Sequence, residues 1–352
     1  GVVIVQNLAQ ILALILLKDY MVYLILQVVF VLVTNILISA AAKKRYPYIA
    51  DKNAEKLSKT EIRSLAKNIK ALTVTKLSGI LVNNTDNIVI TYFNGLITTG
   101  VVSNYSLITN IITSLVNQVF TSLSASLGNL NAVGGNEHKY HVFKALNLAN
   151  FWLYGWAAIG IVCLSNDVIA LFFGSTYVMG LKIPIILAVN FYMLGMQCVV
   201  GLYKSTMGLF RYGQYILLFT AALNLIGDIL LGQLWGVFGI FLATALARAF
   251  TNTWYEPFVI FKHGFHLNFA SYIARYLLYA GLLVVTCGLC YAMCQMVRLS
   301  LVPRIVIECL ICIIVPNALF ILTFRKNGEF HYLLGAAHIL KDKVATCLKR
   351  KA

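Results

Sequence analysis

The stretch YGQYILLFTAALNLIGDILLGQLWGVFGIFLATALARAFTNTWYEPF, residues 212–258, decides the fold class. It holds two apolar runs, 212–234 and 237–258, that meet at a short turn around 231–236. A helix needs roughly 20 apolar residues to cross the hydrocarbon core of a bilayer, and each run has that length. Outward from this pair the pattern repeats at 2–18, 20–42, 78–97, 101–127, 146–165, 183–204, 273–296 and 303–324. Eight stretches qualify on length alone. Ten crossings are expected once the short 2–18 and the short, aromatic-rich 146–165 are admitted. The expected class is an all-α polytopic membrane protein.

Composition agrees. The 352 residues are 60% hydrophobic and 11% charged, against about 25% charged in soluble domains. The net charge of +16 raises nucleic acid as a partner, but its placement argues against one. Of 28 Lys and Arg, 23 fall on alternate links: 43–76, 139–144, 204–211, 262–275 and 325–351. Basic residues collect on the cytoplasmic side, where they also meet anionic lipid. This orients the chain with both ends in the cytoplasm. The chain opens inside an apolar run at Gly1, without a basic region or a cleavage site, so a signal peptide is not expected.

The link 43–77 carries a capping box, Ser58-x-x-Glu61, followed by apolar Ile62, Leu65, Ile69 and Leu72 on one face. An amphipathic helix on the inner leaflet is expected, with a solvated linker helix nearly as good a reading. The basic tail 326–352 has similar character. Seven of the eight cysteines, at 163, 198, 287, 290, 294, 309 and 312, fall within or beside apolar runs where Cys serves as a small hydrophobe. No metal site is expected.

Function is carried by the polar interruptions. In 101–127, Ser103, Ser106, Asn110, Thr113, Asn117, Thr121 and Ser124 recur every three or four residues, which predicts an unbroken polar stripe. Asn83, Asn87, Thr91 and Asn94 form another, with Asp86 beside it, and Thr244, Arg248, Thr251, Asn252 and Tyr255 a third. Asn224 and Asp228 are one turn apart. A single stripe is ordinary interhelical glue; several on neighbouring crossings predict a shared water-filled cavity. Arg248 lies mid-span, where an Arg costs roughly 2.5–3.5 kcal/mol on insertion scales, so it must face a cavity or a partner. It is expected to attract an anionic group such as a diphosphate, with Thr244, Asn252, Asn110, Asn117, Asn87 and Asn83 lining the cavity. Asp86 and Asp228 are expected to carry a coupling proton or sodium ion; a structural Arg–Asp pair is the plain alternative. Glu308 has Arg304 one turn earlier, enough for a local helix pair. There is no HExxH, GxSxG, P-loop or GxGxxG, so no catalytic residue and no organic cofactor is expected.

Residues 208–248 resemble the C-terminal lobe of polysaccharide flippases, the O-antigen and capsule Wzx-type translocases of the MATE-like MOP superfamily. The most specific piece is NLIGDILLGQLWGVFGIFLATALA, 224–247. DNIVITYFNGLITTGVVSNYSLI (86–108), LFFGSTY (171–177) and KRYPYI (44–49) are also similar. The resemblance implies two six-helix lobes around a cavity. On that pattern 1–42 ends the first lobe, 43–77 is the inter-lobe loop, 78–258 the second lobe and 259–325 an added helix pair. About four crossings would then precede Gly1. It implies alternating access in a bacterial plasma membrane, driven by an ion gradient. The cargo would be an undecaprenyl-diphosphate-linked oligosaccharide, and polysaccharide assembly proteins would be partners. A multidrug or lipid II exporter of the same superfamily is the near alternative. A polymerase or ligase of the pathway is the distant one, disfavoured by the short outer links.

Overall fold

The computed structural model describes residues 2–50, 58–213 and 215–336, with the side chains of Ile49, Ala50, Ala71 and Asn83 outside that description. Among the described residues there are helices and no strands. The all-α polytopic class stands. Six helical stretches are long and apolar enough to cross a membrane: Tyr20–Arg45, Asn136–Phe172, Lys182–Thr206, Ile216–Phe265, Ala270–Gln295 and Leu301–Phe324.

The chain forms two compact units, Gly1–Ser64 and Leu65–Ala352. In the first, α1 (Val2–Leu16) and α2 (Tyr20–Arg45) make a hairpin at the expected turn. Lys18 takes a left-handed φ of 51°, and Asp19 caps α2 by accepting from the Met21 amide at 2.8 Å. The capping box forms at the start of α3 (Lys59–Thr121): the Ser58 amide donates to Glu61 at 2.8 Å and the Glu61 amide donates back to Ser58 Oγ at 3.3 Å. The Ser58 hydroxyl also donates to the Glu61 carboxylate at 2.7 Å, and this bond together with that from the Ser58 amide holds the Glu61 carboxyl below its ordinary range.

In the second unit, two long helices reverse on glycine. In α3 the reversal is at Gly95 (φ 82°, ψ 164°), and Thr91 and Thr99 hydroxyls meet across it at 2.8 Å. In α7 (Ile216–Phe250) it is at Gly236 (φ 57°, ψ −138°), so Asn224 reaches Thr244 at 3.0 Å. L side chains avoid these backbone angles, and Gly does not. The turns expected at 94–100 and 231–236 are therefore real reversals, and α3 and α7 each contribute two antiparallel arms.

Three expectations are corrected. The stripe in 101–127 is not unbroken: α3 ends at Thr121 and α4 (Ser124–Val133) begins afresh. The short crossing 146–165 is the middle of a 37-residue helix, α5 (Asn136–Phe172), whose polar first turns hid it from an apolar count. The run 237–258 breaks at Thr251 (φ −122°, ψ −95°), dividing α7 from α8 (Asn252–Ile260). Thr220 Oγ1 donates to Thr251 Oγ1 at 2.7 Å and Thr251 bonds back to the Ala247 carbonyl, so the break is satisfied from within the protein.

Packing centres on α5, which lies against α6 (Lys182–Thr206), α9 (Ala270–Gln295) and α10 (Leu301–Phe324). Its core is aromatic: Phe151 stacks on Tyr279 at 4.4 Å and packs against Phe320 and Phe324. A Cβ on Gly195 would sit 2.1 Å from the Tyr154 ring, so a small residue there sets how closely α5 and α6 approach. A second cluster joins both arms of α3 to α6 and the second arm of α7, through Ile90, Val102, Ile186 and Ile240. Beyond α10, Glu329 accepts from Arg275 at 3.0 Å and lies 3.5 Å from Lys144, tying residues 328–336 to α5 and α9. Burial opposes its ionised form, yet its own backbone amide, Arg275 and Lys144 together hold the carboxyl below the usual range.

Two tests follow from this architecture. Gly236→Ala forces a Cβ into a glycine conformation and is expected to cost about 1–3 kcal/mol, read as a lower unfolding temperature in detergent. The Glu329 clamp is stabilising above the ordinary carboxylate pKa and is lost as pH falls through the depressed folded value. Hydrogen exchange of 328–336 should therefore accelerate, beyond the intrinsic rate, on acidification, and Glu329→Gln should remove that pH dependence.

Candidate functional site in the bundle interior

The α3, α6 and α7 helices line a polar cavity of about 180 Å³ that is open on one side. Asp86 and Asn87 come from the first arm of α3, and Ser106, Asn110 and Thr113 from the second. Asn190 comes from α6, and Thr244 and Arg248 from the second arm of α7. Asp86, Asn190, Thr244 and Arg248 are buried, whereas Asn87 and Asn110 are exposed beside Leu107, Ile111 and Leu115. Asn87, Ser106 and Asn110 also border an adjoining open recess of about 550 Å³.

Asp86 is the centre of a network. Thr244 Oγ1 donates to both of its carboxyl oxygens, at 3.2 and 3.1 Å. Asn224 Nδ2 donates to Thr244 at 3.0 Å and to Asp228 at 2.9 Å. Asn224 Oδ1 and Asp228 Oδ2 are left buried with no hydrogen bond from a described residue. Buried acceptors normally have a partner, and these two lie beside the carboxyl groups of Asp86 and Asp228. The donor set is oxygen throughout, which suits a proton or a hard cation.

Arg248 is 7% exposed and reaches this network from the other side. Its Nη1 donates to the Asn190 side-chain oxygen at 3.3 Å and to the Asn190 carbonyl at 3.4 Å, and it attracts Asp86 electrostatically. Asn190 in turn donates to the Phe241 carbonyl at 2.8 Å. It was detectable, with Gln197, as one of two amides in the apolar run 183–204.

Of the expected lining residues, the structure brings together Asn87, Asn110, Asp86, Thr244 and Arg248. Asp228 joins through the network. Asn117 does not line the cavity; it accepts from the Tyr154 hydroxyl at 2.8 Å, as interhelical glue. Asn252 sits buried at the α7–α8 break, outside the cavity lining. The Asn83 side chain lies outside the described residues. Besides the Glu329 contacts, two more ionic contacts among the described residues went unread in the sequence because their partners are far apart in the chain. Lys204 pairs with Glu256 at 3.0 Å, both largely buried. Arg304, expected to bond only Glu308, also grips Asp167 on α5, with one contact at 2.7 Å.

Thr244→Val keeps the shape but leaves Asp86 and Asn224 short of a partner. A loss of about 1–3 kcal/mol is expected, whereas Thr113→Val at the cavity wall should cost less; thermal unfolding of the purified variants compares them.

Comparison with known proteins supplies the fold. No family model and no curated protein matches the sequence. Among solved structures, the chain is similar to the lipid II flippase MurJ in an inward closed conformation, with a TM-score of 0.60 at 15% identity. The match covers 91% of this chain and spans 66% of the MurJ chain. The chain is thus a multi-pass helical protein with a MurJ-like fold.

Proposed function

We propose that this chain works as a flippase for an undecaprenyl-diphosphate-linked oligosaccharide, moving it outward across a bacterial plasma membrane for cell-surface polysaccharide synthesis. The observation that carries this reading is the polar cavity with Arg248 and Asp86 inside a MurJ-like bundle. A lipid-linked sugar has a charged, hydrated head that cannot cross hydrocarbon, and a polyprenyl tail that can stay in it. Arg248 supplies the fixed positive charge that a diphosphate seeks, as guanidinium groups do for phosphate oxygens generally. Asn87, Asn110 and Ser106 supply neutral donors and acceptors for sugar hydroxyls.

The cavity of about 180 Å³ holds a few waters, and ligand pockets for drug-sized molecules run about 300–1,000 Å³. Passage of the head therefore requires the helices around it to part, which is the alternating-access cycle. Asp86 and Asp228 with Asn224 and Thr244 would hold the coupling sodium ion or proton. Their orphaned oxygens support that role. A cation there neutralises the carboxyl groups that otherwise compete with the substrate for Arg248. Ion occupancy and substrate affinity are thereby linked through one electrostatic network.

A second reading, a lipid II exporter, is favoured by the neighbour itself, which is a lipid II flippase. Both cargoes present a polyprenyl diphosphate, and the cavity residues suit either. The test is complementation. Expression in a strain lacking its polysaccharide flippase should restore surface glycan, and Arg248→Ala should abolish that while leaving membrane insertion intact. Full activity of the Arg248→Ala protein would remove the assigned role, and rescue of a MurJ-depleted strain alone would select the second reading.

A further inference from the structure

Six cysteines line the contact of α5, α9 and α10 or its edge: Cys163, Cys287, Cys290, Cys294, Cys309 and Cys312. Three of them, one from each helix, converge. The sulfurs of Cys163, Cys294 and Cys312 all lie within 4.8 Å of one another. Their residues are 9%, 3% and 3% exposed, so water does not compete for them. This group stands apart from the polar cavity, whose lining contains no cysteine.

The thiols are held in place by their scaffold. Trp156 Nε1 donates to the Cys312 carbonyl at 2.8 Å, fixing the register of α5 on α10 beside the cluster. Trp152 Nε1 donates to Asn317 at 2.7 Å on one side of it, and Arg304 joins Asp167 on the other. Three pins along one helix pair give rigid placement, which is what a coordination site needs. Glu308, one turn from Cys312, interacts electrostatically with both Cys294 and Cys312, and its Oε2 is buried with no hydrogen bond from a described residue.

We propose that Cys163, Cys294 and Cys312 form a three-sulfur site for a thiophilic d10 metal ion, with copper(I) its best match. Thiolate sulfur selects soft ions and rejects the hard cations that the oxygen network would take. Metal–sulfur bonds of about 2.3 Å set three sulfurs in a trigonal plane about 4 Å apart, so the cluster need close by less than about 1 Å. No His or carboxylate among the described residues joins the three sulfurs at that distance, and a trigonal site without a fourth donor suits copper(I) better than tetrahedral zinc(II). Binding replaces thiol protons, which leave to water; no electron is transferred. The bound ion would staple the added helix pair to α5. The convergence was not legible in the sequence, because the three lie on separate helices and spacing along the chain cannot show it.

The test uses the purified, reduced protein in detergent, titrated against the coloured copper(I)–bicinchoninate complex. The expected result is uptake of one copper(I) per chain with new thiolate-to-copper absorption in the ultraviolet, and protection of these three cysteines from alkylation, located by mass spectrometry. Cys287→Ser/Cys309→Ser should keep that equivalent, and Cys163→Ser/Cys294→Ser/Cys312→Ser should lose it. The protection measurement needs only the unmodified chain, so it decides the matter if the triple variant does not fold. Uptake unchanged in a folded triple variant, or no protection in the unmodified chain, would overturn the site. Retention of zinc(II) in preference to copper(I) would overturn the choice of ion.

Discussion

Asp86, Asp228 and Arg248 are ionisable groups in the interior of a helical bundle that lipid surrounds, at 8%, 0% and 7% exposure. Burying an isolated charge costs several kcal/mol even after relaxation, and removing one partner of a buried set leaves the others uncompensated. The rest of the site follows from that constraint. Thr244 and Asn224 exist in this arrangement to bring hydrogen-bond donors to the carboxyl groups, and Asn190 to hold the guanidinium. The glycine reversals at 95 and 236 exist to bring both arms of α3 and α7 around the same space. Two acceptors of the network, Asn224 Oδ1 and Asp228 Oδ2, have no hydrogen bond from a described residue.

The lobe around the cavity and the α5–α9–α10 layer are built on different chemistry. The first is polar and contains a helix broken at Thr251, one turn from Arg248. Broken helices at membrane depth expose backbone groups that can meet ions or substrate, and they are tolerated only where protein or water surrounds them. The second layer is aromatic and thiol-rich, closed by Trp hydrogen bonds and ion pairs at both ends. Such a layer is suited to remain rigid while the polar lobe rearranges.

Much of the fold was legible because membrane helices must satisfy their own backbone, which leaves length and hydropathy to locate them. The hairpins at Lys18–Asp19, 94–100 and 231–236 all formed where short polar or glycine-bearing links interrupted apolar runs. The polar start of α5 was missed for the converse reason: His138, Lys139 and His141 are helical but carry no apolar signal. The site was legible wherever a charged residue stood in an apolar run, as with Asp86, Asp228 and Arg248. It was not legible where periodicity alone was used. Asn110 and Asn117 share a stripe by spacing, yet one lines the cavity and the other serves Tyr154, because a neighbouring helix decides what each meets. Contacts such as Arg304–Asp167 and the three-cysteine cluster depend on helices far apart in sequence.

The central claim is that the polar faces of α3, α6 and α7 enclose a space that water reaches, rather than a dry seam. The direct measurement is the reactivity of Asn110→Cys, in a chain whose native cysteines are replaced by serine, toward a membrane-impermeant methanethiosulfonate reagent. The account predicts rapid, complete labelling of Asn110→Cys and slow labelling of Ile159→Cys in the apolar layer. Equal, slow labelling at both positions would contradict it.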